Sequence, residues 1–152
     1  MKAWVVVASG SSARFFEAKS SAGVIMEFYT LVNPKARLHQ RELVEDRPGR
    51  RFGDSPVRKF GRSGQSRQGM ELKGAAKRQA NIHFAKEVAR YLQSAKNAGY
   101  FEKLIVISAP SFLGLLRSNL SFPISKNVVS YTQKDLTKKT PREIRELLPT
   151  YL

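Results

Sequence analysis

Residues 4–18 read Trp4-Val5-Val6-Val7-Ala8, then Ser9-Gly10-Ser11-Ser12, then Ala13-Arg14-Phe15-Phe16-Glu17-Ala18. The first run is continuous, apolar and β-branched, which is the pattern of a central strand buried on both faces. The Ser/Gly tetrad is a turn, and residues 13–18 resume as a second strand. Ser20-Ser21-Ala22-Gly23 turns the chain again, and residues 24–32 read as a third strand with Phe28 and Tyr29 inside it. Three strands joined by short turns predict an antiparallel meander. Asn33-Pro34 ends it, because the residue before proline is pushed out of the helical region and proline cannot donate to a ladder.

Beyond the meander the pattern changes. Residues 35–69 are polar, basic and rich in Gly, Pro and Ser, which predicts a long loop. Residues 71–98 carry Ala80, Phe84, Val88 and Leu92 four apart, with Ala76, Ala85, Ala89 and Ala95 nearby, which predicts a helix. Lys77, Arg78, Lys86, Arg90 and Lys96 take its other faces, and Gly99 is its expected stop. Residues 104–109 read as a buried strand, 112–120 as a short helix and 128–132 as a last strand. Thr140-Pro141-Arg142-Glu143 has the form of a helix start, with Thr as cap, Pro first and Glu three after the cap. The order β-β-β-loop-α-β-α-β-α predicts an α/β fold: a mixed sheet of ribonuclease-H-like architecture with helices packed on it. The length of 152 residues fits one domain spanning 1–152.

Composition narrows the partners. Lys and Arg number 27 against 12 Asp and Glu, a formal charge of +15. Such an excess predicts attraction to nucleic acid, ribosomal RNA or an anionic membrane. The charge is uneven, which argues against a surface charged only for solubility. Residues 50–79 hold nine Lys or Arg (Arg50, Arg51, Arg58, Lys59, Arg62, Arg67, Lys73, Lys77, Arg78) against Asp54 and Glu71. The absence of cysteine excludes disulfides and thiolate metal sites. The first apolar run is too short for a signal-peptide core. No segment approaches the roughly 20 apolar residues that span a bilayer, so a cytoplasmic location is expected.

Catalytic chemistry is sparse. A metal nuclease on such a sheet needs converging carboxylates, yet the first strand has none, and Glu17, Glu27, Glu102 and Asp135 are scattered. His39 and His83 lack zinc-site spacing. No phosphate-loop or nucleotide fingerprint is present, and no metal or cofactor is expected. Ser63-Gly64-Gln65 stands out because it lies in the basic segment before the long helix. A glutamine amide both donates and accepts, so it can orient a water or a carbonyl. Adjacent glycine allows close backbone approach, and flanking arginines can grip phosphates. Arg117 is expected to pair with a carboxylate or cap a helix end, and Asp135 to cap the turn before Leu136.

Two family resemblances follow from these residues. Trp4-Val5-Val6-Val7-Ala8-Ser9-Gly10 with Ala13-Arg14-Phe15-Phe16, Asn33-Pro34-Lys35-Ala36-Arg37, Asp46-Arg47-Pro48-Gly49-Arg50, Phe84-Ala85, Ala109-Pro110-Ser111-Phe112-Leu113-Gly114-Leu115-Leu116-Arg117 and Lys134-Asp135-Leu136-Thr137 together resemble the bacterial host attachment protein family over nearly the whole chain. The order of elements, with Lys59-Phe60-Gly61-Arg62-Ser63-Gly64-Gln65-Ser66-Arg67 before the long helix, is similar to the central domain of archaeal and eukaryotic class 1 peptide-chain release factors and of Pelota. There the corresponding loop reads Gly-Gly-Gln and enters the peptidyl-transferase centre. Gly64 and Gln65 match it, and Ser63 stands in place of the first glycine.

The release-factor resemblance implies a cytoplasmic RNA-binding or ribosome-associated protein. Its contacts to RNA would come from Arg47, Arg50, Arg51, Arg58, Lys59, Arg62, Ser63, Gly64, Gln65, Arg67, Lys73, Lys77 and Arg78. Gln65 would be catalytic only if the protein hydrolyses peptidyl-tRNA. The attachment resemblance implies instead a protein that meets anionic surfaces with its basic face.

Overall fold

A computed structural model describes residues 2–19, 23–37 and 62–149, with side chains described for all of these except Arg37 and residues 62–73. Strand β1 (Ala3–Ala8) turns into β2 (Ser12–Ala18), which turns into β3 (Ile25–Val32). A helical turn, α1 (Pro34–Arg37), follows. The long helix α2 (Arg62–Asn97) leads to β4 (Lys103–Ser108), α3 (Pro110–Asn119), α4 (Phe122–Asn127), β5 (Val128–Gln133) and α5 (Pro141–Glu146). The sheet has five strands in the order β3-β2-β1-β4-β5. β1 pairs antiparallel with β2 and β2 with β3, whereas β1–β4 and β4–β5 are parallel. The fold is therefore α/β with a mixed sheet, and the predicted meander forms its antiparallel half.

The two faces of the sheet are both covered, as the continuous apolar character of β1 requires. Trp4, Val6 and Ala8 join Phe15, Leu104 and Val106 on one face, under Phe84, Val88 and Leu92 of α2 and Phe112 and Leu116 of α3. The alternate set, Val5, Val7, Phe16, Ile25, Ile105 and Ile107, packs under Leu136 and Ile144. Period-two alternation in the strands thus sorts side chains between a thick helical layer and a thin one. The four-residue spacing of Ala80, Phe84, Val88 and Leu92 is the buried stripe of α2, as the sequence predicts.

Local capping chemistry also follows the sequence. Gly99 has φ +75°. Its N–H donates to Lys96 O at 3.0 Å, and Tyr100 N–H donates to Ala95 O at 3.0 Å. This is the Schellman arrangement, in which a left-handed glycine satisfies orphan carbonyls. Thr140 Oγ1 accepts from Glu143 N at 3.2 Å and so caps α5.

Three expectations need correction. The long helix begins at Arg62 rather than at 71, so Arg62, Ser63, Gly64, Gln65 and Arg67 lie on helical backbone and not in a loop. Arg, Gln, Met, Glu, Leu and Lys in residues 62–73 are good helix formers, and their propensity offsets the roughly 1 kcal/mol cost of each interior glycine. The expected loop 35–69 is shortened at its start too, because residues 34–37 form a helical turn; the remainder, 38–61, lies outside the described residues. Finally, α4 intervenes between the short helix and the last strand, with Pro123 in its first turn and Ile124 buried.

One buried polar knot ties the meander to α2. Asn33, 4% exposed, donates from Nδ2 to Gly10 O at 2.9 Å and to Ala80 O at 3.3 Å. A side chain on Gly10 would crowd the helix there, since a Cβ would stand 2.6 Å from Asn81 Oδ1. Asn33→Ala leaves both carbonyls without that donor. We expect it to destabilise the fold by about 2 kcal/mol, read as a lower urea midpoint with an unchanged slope.

Candidate polyanion interface

Helix α2 positions the cations. Its buried stripe faces the sheet, which leaves Lys77, Arg78, Lys86 and Arg90 on exposed positions. Among the described residues, ion pairs join Arg14 to Glu27 and Lys139 to Glu143, and none engages these four side chains. Among the described residues, no carboxylate lies within ion-pair distance of these four exposed side chains. Lys86 and Arg90, one turn apart, line an open groove of about 260 Å³ with Ala89, Gln93, Asn119 and Ser121. The groove's uncharged polar side chains are engaged in hydrogen bonds, one of them between two groove residues. Ser121 Oγ donates to Gln93 Oε1, Gln93 Nε2 donates to Asn97 Oδ1 at 2.9 Å, and Asn119 Nδ2 donates to Leu115 O at 2.7 Å.

Of the site residues read from the sequence, Lys77 and Arg78 stand exposed on α2 away from the groove, with Lys77 about two and a half turns from Lys86 and on the opposite side of the helix. Arg62, Ser63, Gly64, Gln65, Arg67 and Lys73 fall on the same helix, their side chains outside the described residues. Arg47, Arg50, Arg51, Arg58 and Lys59 lie outside the described residues altogether. The groove cations Lys86 and Arg90 were legible as polar positions of the helix. Their meeting with Asn119 and Ser121 was not, because the two pieces lie about thirty residues apart in the chain.

Other candidates resolve into structural roles. Arg117 pairs with no carboxylate among the described residues; it stands in the last turn of α3, and its guanidinium lies 4.5 Å from the centre of the Tyr131 ring, a cation–π contact between α3 and β5. Asp135 does shape its turn: Oδ1 accepts from Thr137 N at 3.1 Å and from Thr137 Oγ1 at 2.6 Å. His83 is exposed on α2 beside Gln79. Among the described residues no group of three His, Asp or Glu could hold a metal ion, and no helix is long and apolar enough to cross a membrane.

A second surface was not read from the sequence at all. In the β2–β3 ladder Phe15 pairs with Tyr29 and Phe16 with Glu27, which leaves Phe28 as a bulged residue. The bulge turns Phe28 and Tyr29 onto the same face. Phe28 lies 4.6 Å from Trp4, and Tyr29 stacks at 4.7 Å on Tyr91 of α2. Tyr100 stacks on Trp4 at 6.3 Å. Burial, then the neighbouring Tyr29 and Tyr100 hydroxyls, pushes the Tyr91 pKa up. Trp4 is covered, but Met26, Phe28, Tyr29 and Tyr100 remain 42–57% exposed. No linear signal marks residues 4, 26–29, 91 and 100 as neighbours.

No curated protein matches the chain. A family model does, over residues 4–148, so the match runs from the first strand through the last helix. It takes in the sheet, the long cationic helix and every motif quoted for the first resemblance, and on that extent the chain belongs to the family described as protein required for attachment to host cells.

Proposed function

We propose that the protein serves attachment by binding anionic surfaces or polymers through the exposed cations of α2. The match of residues 4–148 to the attachment family carries this reading. The net charge of +15 and the exposed Lys77, Arg78, Lys86 and Arg90 support it with a physical means of contact. Surface labelling of intact cells tests where the protein acts, and a strong surface signal is expected. Binding of the purified chain to a sulfated or phosphorylated polymer is expected to weaken steeply with salt, because each neutralised phosphate or sulfate releases a counterion. Replacing Lys77, Arg78, Lys86 and Arg90 together with Gln should lower affinity at low salt by about 10-fold or more and flatten the salt slope. Unchanged binding would place the contact elsewhere.

A second reading is favoured by one specific observation. The order β3-β2-β1-β4-β5, with β2 antiparallel to its neighbours, is consistent with a ribonuclease-H-like sheet, the architecture of release-factor central domains. On this reading the same cations contact ribosomal or transfer RNA in the cytoplasm, and Gln65 stands near the start of α2. Ribosome co-sedimentation at low and high salt decides it: absence from the ribosomal pellet at low salt rejects the reading. Hydrolysis of peptidyl-tRNA through Gln65 is the narrowest form, and equal rates for wild type and Gln65→Ala would eliminate it.

A further inference from the structure

The groove between α2 and the α3–α4 junction has two chemically unlike sides. On α2, Lys86 and Arg90 stand one turn apart, both exposed, with the buried Ala89 beside them. Like charges at this spacing weaken a helix. Neither cation has a carboxylate within ion-pair distance among the described residues, the exposed Glu87 of the same helix included. The nitrogens of Lys86 and Arg90 can only donate. From the other elements, Asn119 and Ser121 line the groove. Asn119 Nδ2 is committed to Leu115 O at 2.7 Å, which leaves Oδ1 as an acceptor. Ser121 Oγ gives its one proton to Gln93 Oε1 and keeps its acceptor capacity.

Cationic donors on one side and acceptors on the other select the ligand. An inorganic sulfate meets the two cations but brings no proton to Asn119 Oδ1 or Ser121 Oγ. A neutral sugar donates hydroxyl protons to those oxygens and leaves the cations unused. A sugar bearing a carboxylate or a sulfate ester satisfies both sides. A nucleotide also combines an anion with hydroxyls, but no aromatic side chain lines the groove for its base to stack on. The volume of about 260 Å³ lies just below the range of about 300–1,000 Å³ typical of drug-sized ligands, which suits a single sugar unit.

We propose that this groove is a subsite for one anionic sugar residue, with Lys86 and Arg90 holding its carboxylate or sulfate and with Asn119 Oδ1 and Ser121 Oγ accepting from its hydroxyls. The inference rests on the reading of α2's exposed cations as the anion-binding element, and it adds to that reading one discrete, chemically selective seat. Lys77 and Arg78 stand away from the groove, so they strengthen the long-range attraction of a polymer without touching the seated sugar.

Titration of the purified protein with glucuronate and with a sulfated glucose, followed through backbone amide NMR signals, is the test. The expected result is saturable binding of at least one of them, with shifts centred on Ala89, Gln93, Asn119 and Ser121; the two probes tell a carboxylate from a sulfate ester. Glucose, inorganic sulfate and adenosine monophosphate should each bind more weakly than the preferred sugar. Lys86→Gln combined with Arg90→Gln should weaken sugar binding by about 10-fold or more, the usual effect of losing charge-assisted hydrogen bonds. Lys77→Gln combined with Arg78→Gln should leave it unchanged. Ser121 makes no side-chain cap to α4, so Ser121→Ala should keep the fold while narrowing the preference for the sulfated sugar over inorganic sulfate. The proposal is overturned if neither sugar binds saturably, if inorganic sulfate or adenosine monophosphate binds as tightly, or if the Lys86 and Arg90 variant binds the sugar as wild type does. A sulfated polymer titrated in parallel separates this inference from the reading beneath it. Polymer binding without sugar binding overturns the groove seat alone, and sugar binding without polymer binding supports the seat and removes attachment through polymers.

Discussion

Phe84→Ala is expected to lower the unfolding free energy by about 3–5 kcal/mol, the usual cost of truncating a buried phenylalanine. Phe84 is 1% exposed and sits where α2, α3 and the sheet meet. Its ring centroid lies 5.8 Å from that of Phe112, and the intervening core is built from residues that are themselves fully buried. Neither helix can close on the void without lifting off the strands, so the cavity persists and its walls lose their contacts. A domain of this size has a total stability of about 5–15 kcal/mol, so one substitution removes a large share. Urea unfolding followed by circular dichroism measures it. A loss below about 1 kcal/mol would mean that α2 is not seated on the sheet at this point. Because α2 carries the candidate cations, the same substitution should also impair polyanion binding under conditions where the variant is partly unfolded.

Arg14→Met is expected to cost about 2–3 kcal/mol near neutral pH, and the cost should fade in acid. Arg14 Nε and one of its terminal nitrogens donate to the two carboxylate oxygens of Glu27 at 2.9 and 2.8 Å. Its other terminal nitrogen donates to Thr137 O at 3.1 Å and Lys139 O at 2.5 Å, so one guanidinium joins β2, β3 and the segment before α5. The side chains of Arg14 and Glu27 are 14% and 29% exposed, so solvent screens the pair in part and the figure stays below that for a fully buried one. The hydrogen bond from Arg14, opposed by partial burial and aided by Thr30, holds the Glu27 carboxyl below its usual range. A carboxylate whose folded pKa is depressed adds stability that is present above its unfolded pKa, about 4.3, and is lost as pH falls through the lower folded value. The gap between wild type and Arg14→Met should accordingly narrow in acid from about pH 4 downward. A gap that stayed constant across that window would assign the loss to the two carbonyl contacts and the packing of Arg14 over the Phe16 ring, 5.0 Å away.

Much of the scaffold was legible because it rests on short-range rules. The apolar run at Trp4 predicts a strand covered on both faces, and both faces are covered. Gly99 and Thr140 act at helix ends through the hydrogen bonds their residue types favour. The start of α2 was less legible, since Gly64 and Gly69 resemble loop composition while their neighbours favour helix. The candidate site was half legible. Lys77 and Arg78 were marked by local charge density, whereas Lys86 and Arg90 gain significance only through the groove they share with Asn119 and Ser121.

What the amino-acid order determined alone was the five strands, the body of the long helix, the faces they bury and the excess of positive charge, because each depends on periodicity or counting within a few residues. Only the folded chain decided which distant groups meet. It brought Arg14 between Glu27 and the backbone of residues 137–139, set Asn33 between Gly10 and Ala80, and gathered Trp4, Phe28, Tyr29, Tyr91 and Tyr100 on one face of the sheet. Those meetings depend on sheet order and on one bulge in β3. Strand pairing is a long-range choice that no window of neighbouring residues encodes.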